Sequence, residues 1–280
     1  MTLLEAENPQ PTELPTLGLW ERLIEDGRKL TLVSCAFPNV PSFVCDAWTY
    51  EGNPLLLDFR KLSLGRIELI HLVSETPKVT LVTTVTPEPG AVEFLARLEG
   101  ADDAPHLVPP PNLCYQLWRA PGFASKPDSY TDFVRRCFLF TEAGPIRLDS
   151  TVRLPVPRRG ADEPCNNPPW VQSYLSVNET PPADPESCFA GSSPTRYVYP
   201  IIGTVSRDER HLAAIACAKP TALCQAWHDC LHNVPGWTPA EARPSEQVCR
   251  MKIYAMANAP HALLERVLAD FPEIPHYAGY

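Results

Sequence analysis

Apolar and polar residues alternate along much of this chain with the two-residue period of β-strands. Across residues 65–73, Ile67, Leu69, His71 and Val73 share one face, and Arg66, Glu68, Ile70 and Leu72 share the other. Residues 78–86 are rich in threonine and valine, and Pro87-Glu88-Pro89-Gly90 turns the chain. Residues 91–98 then set Val92, Phe94, Ala96 and Leu98 against Glu93 and Arg97. Three strands at this spacing predict an antiparallel meander.

Further strands are expected at 29–37, 43–50, 113–119, 133–142, 146–152, 170–177 and 196–205, and then at 211–217, 223–232 and 248–257. The helical period shows in two places. Leu19, Leu23 and Ile24 predict a short helix over 17–26, closed by Gly27. Asn258 and Pro260 open a second helix, with Leu263, Leu264, Val267 and Leu268 as its buried stripe.

Strands and helices do not alternate, which argues against a parallel α/β sheet, and no 20–50-residue repeat suggests a propeller. The expected fold is mainly β: a single large antiparallel β-sandwich with long Pro-rich loops and two short helices near the termini. Residues 1–15 read as a loose N-terminal arm and 16–280 as one sandwich domain. The meander is expected in one sheet and the C-terminal hairpins in the other.

Composition sharpens this picture. There are 33 prolines against 13 glycines. Proline is kept out of helix interiors and central strands, so the elements are short and joined by ordered turns. A net charge of −9, without a run of Lys or Arg, argues against nucleic acid as a partner. No apolar run reaches membrane length, and the first residues lack the basic start and apolar core of a signal peptide. The expectation is a soluble, cytoplasmic protein, with mostly free thiols among its 10 cysteines. None of these falls in a CxxC pair.

The densest chemistry lies in 227–237. This segment holds Trp227, His228, Asp229, Cys230, His232 and Trp237. In a strand, His228, Cys230 and His232 share one face. Imidazoles titrate near neutral pH, so His228 and His232 are candidate acid–base groups, with His71 as a third. The same two histidines are alternatively ligands for a divalent metal, the one cofactor these residues suggest. Cys230 beside them is either a small neutral wall or a thiolate activated by imidazole.

Trp227, Trp237, Trp170 and Tyr115 offer ring faces on which a sugar can stack, although tryptophans also fill sandwich cores. Arg119 and Arg136 are candidate binders of polar or anionic groups. The cleft is expected between the 227–237 segment, the 109–123 loop and the 166–170 loop. Phosphate-binding, dinucleotide-binding and GxSxG signatures are absent. The reading that follows is an enzyme acting on a carbohydrate or similar polyol by His-based acid–base chemistry, of epimerase, lyase or hydrolase type. It rests on the habit of large sandwiches to handle sugars, which is an analogy of fold. The alternatives are a metal-dependent enzyme and a non-catalytic carbohydrate-binding or interaction module. A small molecule is the expected partner, and a homo-oligomer is open.

Overall fold

A computed structural model describes residues 23–24, 29–33, 44–48, 55–63, 66–102, 113–117, 120, 122–125, 130–153, 172–180, 191–226, 229–238 and 240–277. The chain begins with β1 (Leu23–Ile24), β2 (Lys29–Val33) and β3 (Val44–Trp48). Next come β4 (Leu55–Lys61), β5 (Ile67–Glu75), β6 (Lys78–Glu88) and β7 (Ala91–Glu99), the expected meander extended by one strand. After β8 (Leu113–Gln116), helix α1 (Tyr130–Arg136) leads into β9 (Cys137–Thr141) and β10 (Gly144–Arg147). The short β11 (Gln172–Tyr174) and β12 (Gly191–Ser192) precede the hairpin of β13 (Tyr199–Val205) and β14 (His211–Cys217). The chain ends in β15 (Pro220–Ala226), β16 (Cys230–Pro235), β17 (Val248–Ala257) and helix α2 (Pro260–Asp270).

The strands form two sheets in a sandwich-like arrangement. One has nine strands in the order β10-β9-β13-β14-β17-β7-β6-β5-β4, and the other has eight in the order β1-β2-β3-β8-β16-β15-β11-β12. All pairings are antiparallel except β11 with β12. One apolar core lies between the sheets, with Leu69, Leu81, Phe94, Ile215 and Ile253 from the larger and Tyr115, Tyr174, Leu223 and Leu231 from the smaller. A hydrogen bond crosses this core, from Cys217 Sγ to Asn233 Oδ1 at 2.9 Å. The larger sheet is buried on its other face too. There Phe140, Tyr199, Leu212 and Tyr254 pack with Leu263, Leu264 and Val267 of α2.

Four expectations need correction. The meander and the β13–β14 hairpin do not lie in separate sheets, because β17 pairs with both β14 and β7 and joins them into one. Leu23 and Ile24 are not helical; they pair with Leu30 and Lys29. A helix of that length is marginal alone, and the strand pairing offers its backbone ready partners. Among the described residues, α2 is the one helix near a terminus. The other helix, α1, takes the start of what reads as a strand over 133–142. Asp132 in its first turn and Arg135 and Arg136 in its last complement the helix dipole. Arg136 also meets Asp132 one turn back, at 3.1 Å. Finally, Asn258 does not cap α2; its Nδ2 donates to Glu209 O at 2.7 Å and ties the helix start to the β13–β14 turn.

Candidate functional site

The segment read as one strand over 223–232 is a hairpin. Ala226 pairs with Cys230, so the chain reverses at residues 227–229. Asp229 makes this reversal with a left-handed φ of 51°, a conformation that aspartate tolerates better than most residues. Its carbonyl accepts from Leu117 N at 2.8 Å. Its carboxylate accepts from Ser125 N at 2.7 Å and Ser125 Oγ at 2.5 Å. The turn is thereby fixed to the segment that follows β8.

The reversal separates His228, in sequence, from the strand that carries His232. Trp227, His228, Trp118, Arg119 and Trp170 lie outside the described residues, so the expected His228–His232 pair does too. What the structure does bring together is Cys230 and His232, two positions apart on β16, with Sγ 3.0 Å from Nε2. Leu231 and Asn233 point into the core between the sheets, so Cys230 and His232 occupy the opposite face by strand alternation. Cys224 of β15 is the register partner of His232, and Ser173 of β11 that of Cys224. Cys230, His232, Cys224 and Ser173 are all buried.

The other candidates are dispersed. His71 is fully buried on β5 between Leu56 and Leu81. It shares the face of Ile67 and Leu69, which look into the inter-sheet core, whereas His232 is on the other sheet and faces away from that core. Tyr115 is wholly enclosed in that core and opposite Leu231. Trp237 packs half-buried against the same core.

Arg136 is buried, and its guanidinium is taken up by protein groups. It donates to Val205 O at 2.8 Å, Phe123 O at 2.6 Å, Ala124 O at 3.3 Å and Asp132 Oδ2 at 3.1 Å. It thus organises the 122–125 loop from below, while Asp229 holds the same loop from the β15–β16 turn. Among the described residues, no three or more His, Cys, Asp or Glu side chains gather into a group able to hold a metal ion.

Five cysteines, Cys137, Cys217, Cys224, Cys230 and Cys249, are free and buried, as the lack of paired spacing suggests. Burial pushes the Cys137 and Cys217 thiols up to about 12 and that of Cys249 well above its ordinary value. These three therefore stay protonated at neutral pH.

The strand ends at this edge of the smaller sheet form a row. Gln116 of β8 pairs with Cys230 of β16, Cys230 with Ala226 of β15, and Gln225 with Gln172 of β11. Asp46 of β3 continues the row beside Gln116. Sequence periodicity missed this row because it depends on register, which only the hairpin reversal at Asp229 reveals. No protein family matches the chain, and no curated protein matches it.

Proposed function

We propose that this end of the eight-stranded sheet binds a carbohydrate or similar polyol, and that the protein acts on it by histidine acid–base chemistry. The row of strand ends Gln116, Cys230, Ala226 and Gln172 carries the reading. Trp118, Arg119, Trp227, His228 and Trp170 each stand within three residues of one of these ends in the sequence. In the sequence, three tryptophans, an arginine and a histidine thus closely flank these strand ends. Indole faces stack on the C–H faces of a sugar ring, Arg119 donates to its hydroxyl or carboxylate oxygens, and His228 moves the proton.

The test is a panel of neutral sugars, sugar acids and polyols, screened by thermal shift and then for turnover. The expected result is a raised Tm with one class and turnover of it, lost in His228→Ala while binding survives. Trp170→Ala and Trp227→Ala should weaken binding. A panel with no shift, or turnover indifferent to His228→Ala, would reject the proposal.

A second reading is a non-catalytic carbohydrate-binding or interaction module. It is favoured by the near-complete burial of His71 and His232, the two described imidazoles among the catalytic candidates. It predicts a sugar-induced shift in Tm without turnover of any bound compound.

A further inference from the structure

The Cys230–His232 contact differs in kind from the Cys217–Asn233 contact. Cys217 donates to a neutral amide oxygen, which cannot take its proton. Cys230 faces an imidazole nitrogen at 3.0 Å, which can. In the tautomer that leaves Nε2 bare, the thiol donates to it and the imidazole can take the proton. A nucleophile within hydrogen-bond reach of a base is the arrangement that activates cysteine. Strand geometry fixes it, because positions two apart on β16 present their side chains to the same face.

We propose that Cys230 is a site of oxidation by small hydroperoxides, with His232 as the base that takes the thiol proton. The proton passes from Sγ to Nε2, and the sulfur attacks one peroxide oxygen. The S–O bond forms as the O–O bond breaks. The departing hydroxide takes the proton from the imidazolium and leaves as water. Thiol and hydrogen peroxide thus become sulfenic acid and water, with sulfur oxidised and peroxide reduced. Cys230 is fully buried, so an oxidant reaches it through local opening of the fold, which favours the smallest peroxide. Cys137, Cys217 and Cys249 are equally buried and serve as internal controls. Their protonated thiols should be passed over.

The experiment uses the full chain in its native state and no sugar, so its outcome is independent of the carbohydrate reading. The protein is exposed briefly to hydrogen peroxide, the peroxide is removed with catalase, and the chain is then unfolded in dimedone so that every sulfenic acid is trapped. Peptide mass spectrometry should find the adduct on Cys230 ahead of the three controls. In His232→Asn it should fall about tenfold, the effect of one pKa unit in the thiolate population. Equal labelling of the controls, or an unchanged Cys230 adduct in His232→Asn, overturns the proposal. Should that variant fail to fold, the pH profile of the wild-type adduct decides. A midpoint clearly below about 8.5, the ordinary thiol value, supports a base-assisted cysteine, and a midpoint at or above it overturns the proposal.

Discussion

Asp229 holds Ser125 by two hydrogen bonds, one to its backbone N–H and one to its hydroxyl, and so couples the β15–β16 turn to the loop after β8. Both are charge-assisted, and the carboxylate is largely buried. Asp229→Ala removes both acceptors and places alanine at φ 51°, where its Cβ is strained. Urea unfolding should report a loss of about 3 kcal/mol. Asp229→Asn keeps the turn conformation and one acceptor, and should lose about half as much. Equal stability of the two variants would contradict the role given to the carboxylate.

The β15–β16 turn also shows where the sequence was legible. Strands β5, β6 and β7 follow from alternation because each has one face on the core. The bounds of β14 and β17 match the expected 211–217 and 248–257, although both faces of β14 are buried and its start is marked by the polar turn at Ser206–Arg210. The turn at 227–229 was hidden, because Leu223 to Leu231 has no glycine or proline and its apolar residues run on as in a single strand. The one local signal was Asp229, a residue that tolerates the left-handed region. Helix α1 was hidden by Phe133, Val134 and Phe138, which read as strand residues. Its Asp132–Arg136 pair was the countersignal. The Cys230–His232 contact was legible as shared parity, whereas the opposite surroundings of His71 and Tyr115 required the sheet order.

Helix α2 is fastened to the larger sheet by charge as well as by its apolar stripe. Lys252 of β17 is almost fully buried and meets Glu88 at 2.7 Å and Asp270 at 3.1 Å. Arg266 meets the same two carboxylates, and Tyr254 donates to Asp270 at 3.0 Å. Asp270→Asn leaves a buried ammonium with Glu88 as its remaining carboxylate. Chemical unfolding should show a cost of about 2 kcal/mol, below that of a fully buried pair because Glu88 stays in place. Loss of under about 0.5 kcal/mol, as at an ordinary surface position, would show that the network contributes little.

The same carboxylate gives a pH dependence at the acid end. Burial alone would raise the Asp270 pKa, but the hydrogen bond and charge of Lys252, with Tyr254 and Arg266, hold it below the usual carboxylate range. A folded-state pKa below the unfolded value adds stability above about pH 4. That increment disappears as pH falls through the folded value. Stability measured from pH 6 down to pH 2 should therefore fall less steeply in Asp270→Asn than in the wild type.

At the alkaline end the sign reverses. The buried thiols of Cys137 and Cys217, pushed up to about 12, stay protonated where the unfolded chain has already ionised. The folded state then binds more protons, and stability declines as pH rises from about 9 towards 12. Cys217→Ala should flatten this decline in a urea titration series, at the cost of its hydrogen bond to Asn233. An unchanged slope would place the alkaline sensitivity elsewhere.

Gly203 of β13 lies under the ring of its register partner Phe138. A Cβ at this position would fall 2.5 Å from Phe138 Cζ and 3.0 Å from Ala213 O. The ring is buried and packs edge-on against Phe140 at 6.0 Å, which limits how far it can tilt. Gly203→Ala should cost about 1–3 kcal/mol, in the range of overpacked cores, and its thermal unfolding should show a lowered Tm. Full stability would mean that the ring moves freely.

Strand β17 has a further consequence. It pairs on one side with β7, formed early in the chain, and on the other with β14. Until it docks, the meander and the later hairpin are two separate ribbons, each with a long unpaired border of peptide groups. Such borders recruit strands from other molecules. Contacts between such distant segments also assemble slowly. Self-association during synthesis or refolding should therefore depend on how quickly this late strand inserts, and variants that slow its insertion should aggregate before they lose native-state stability.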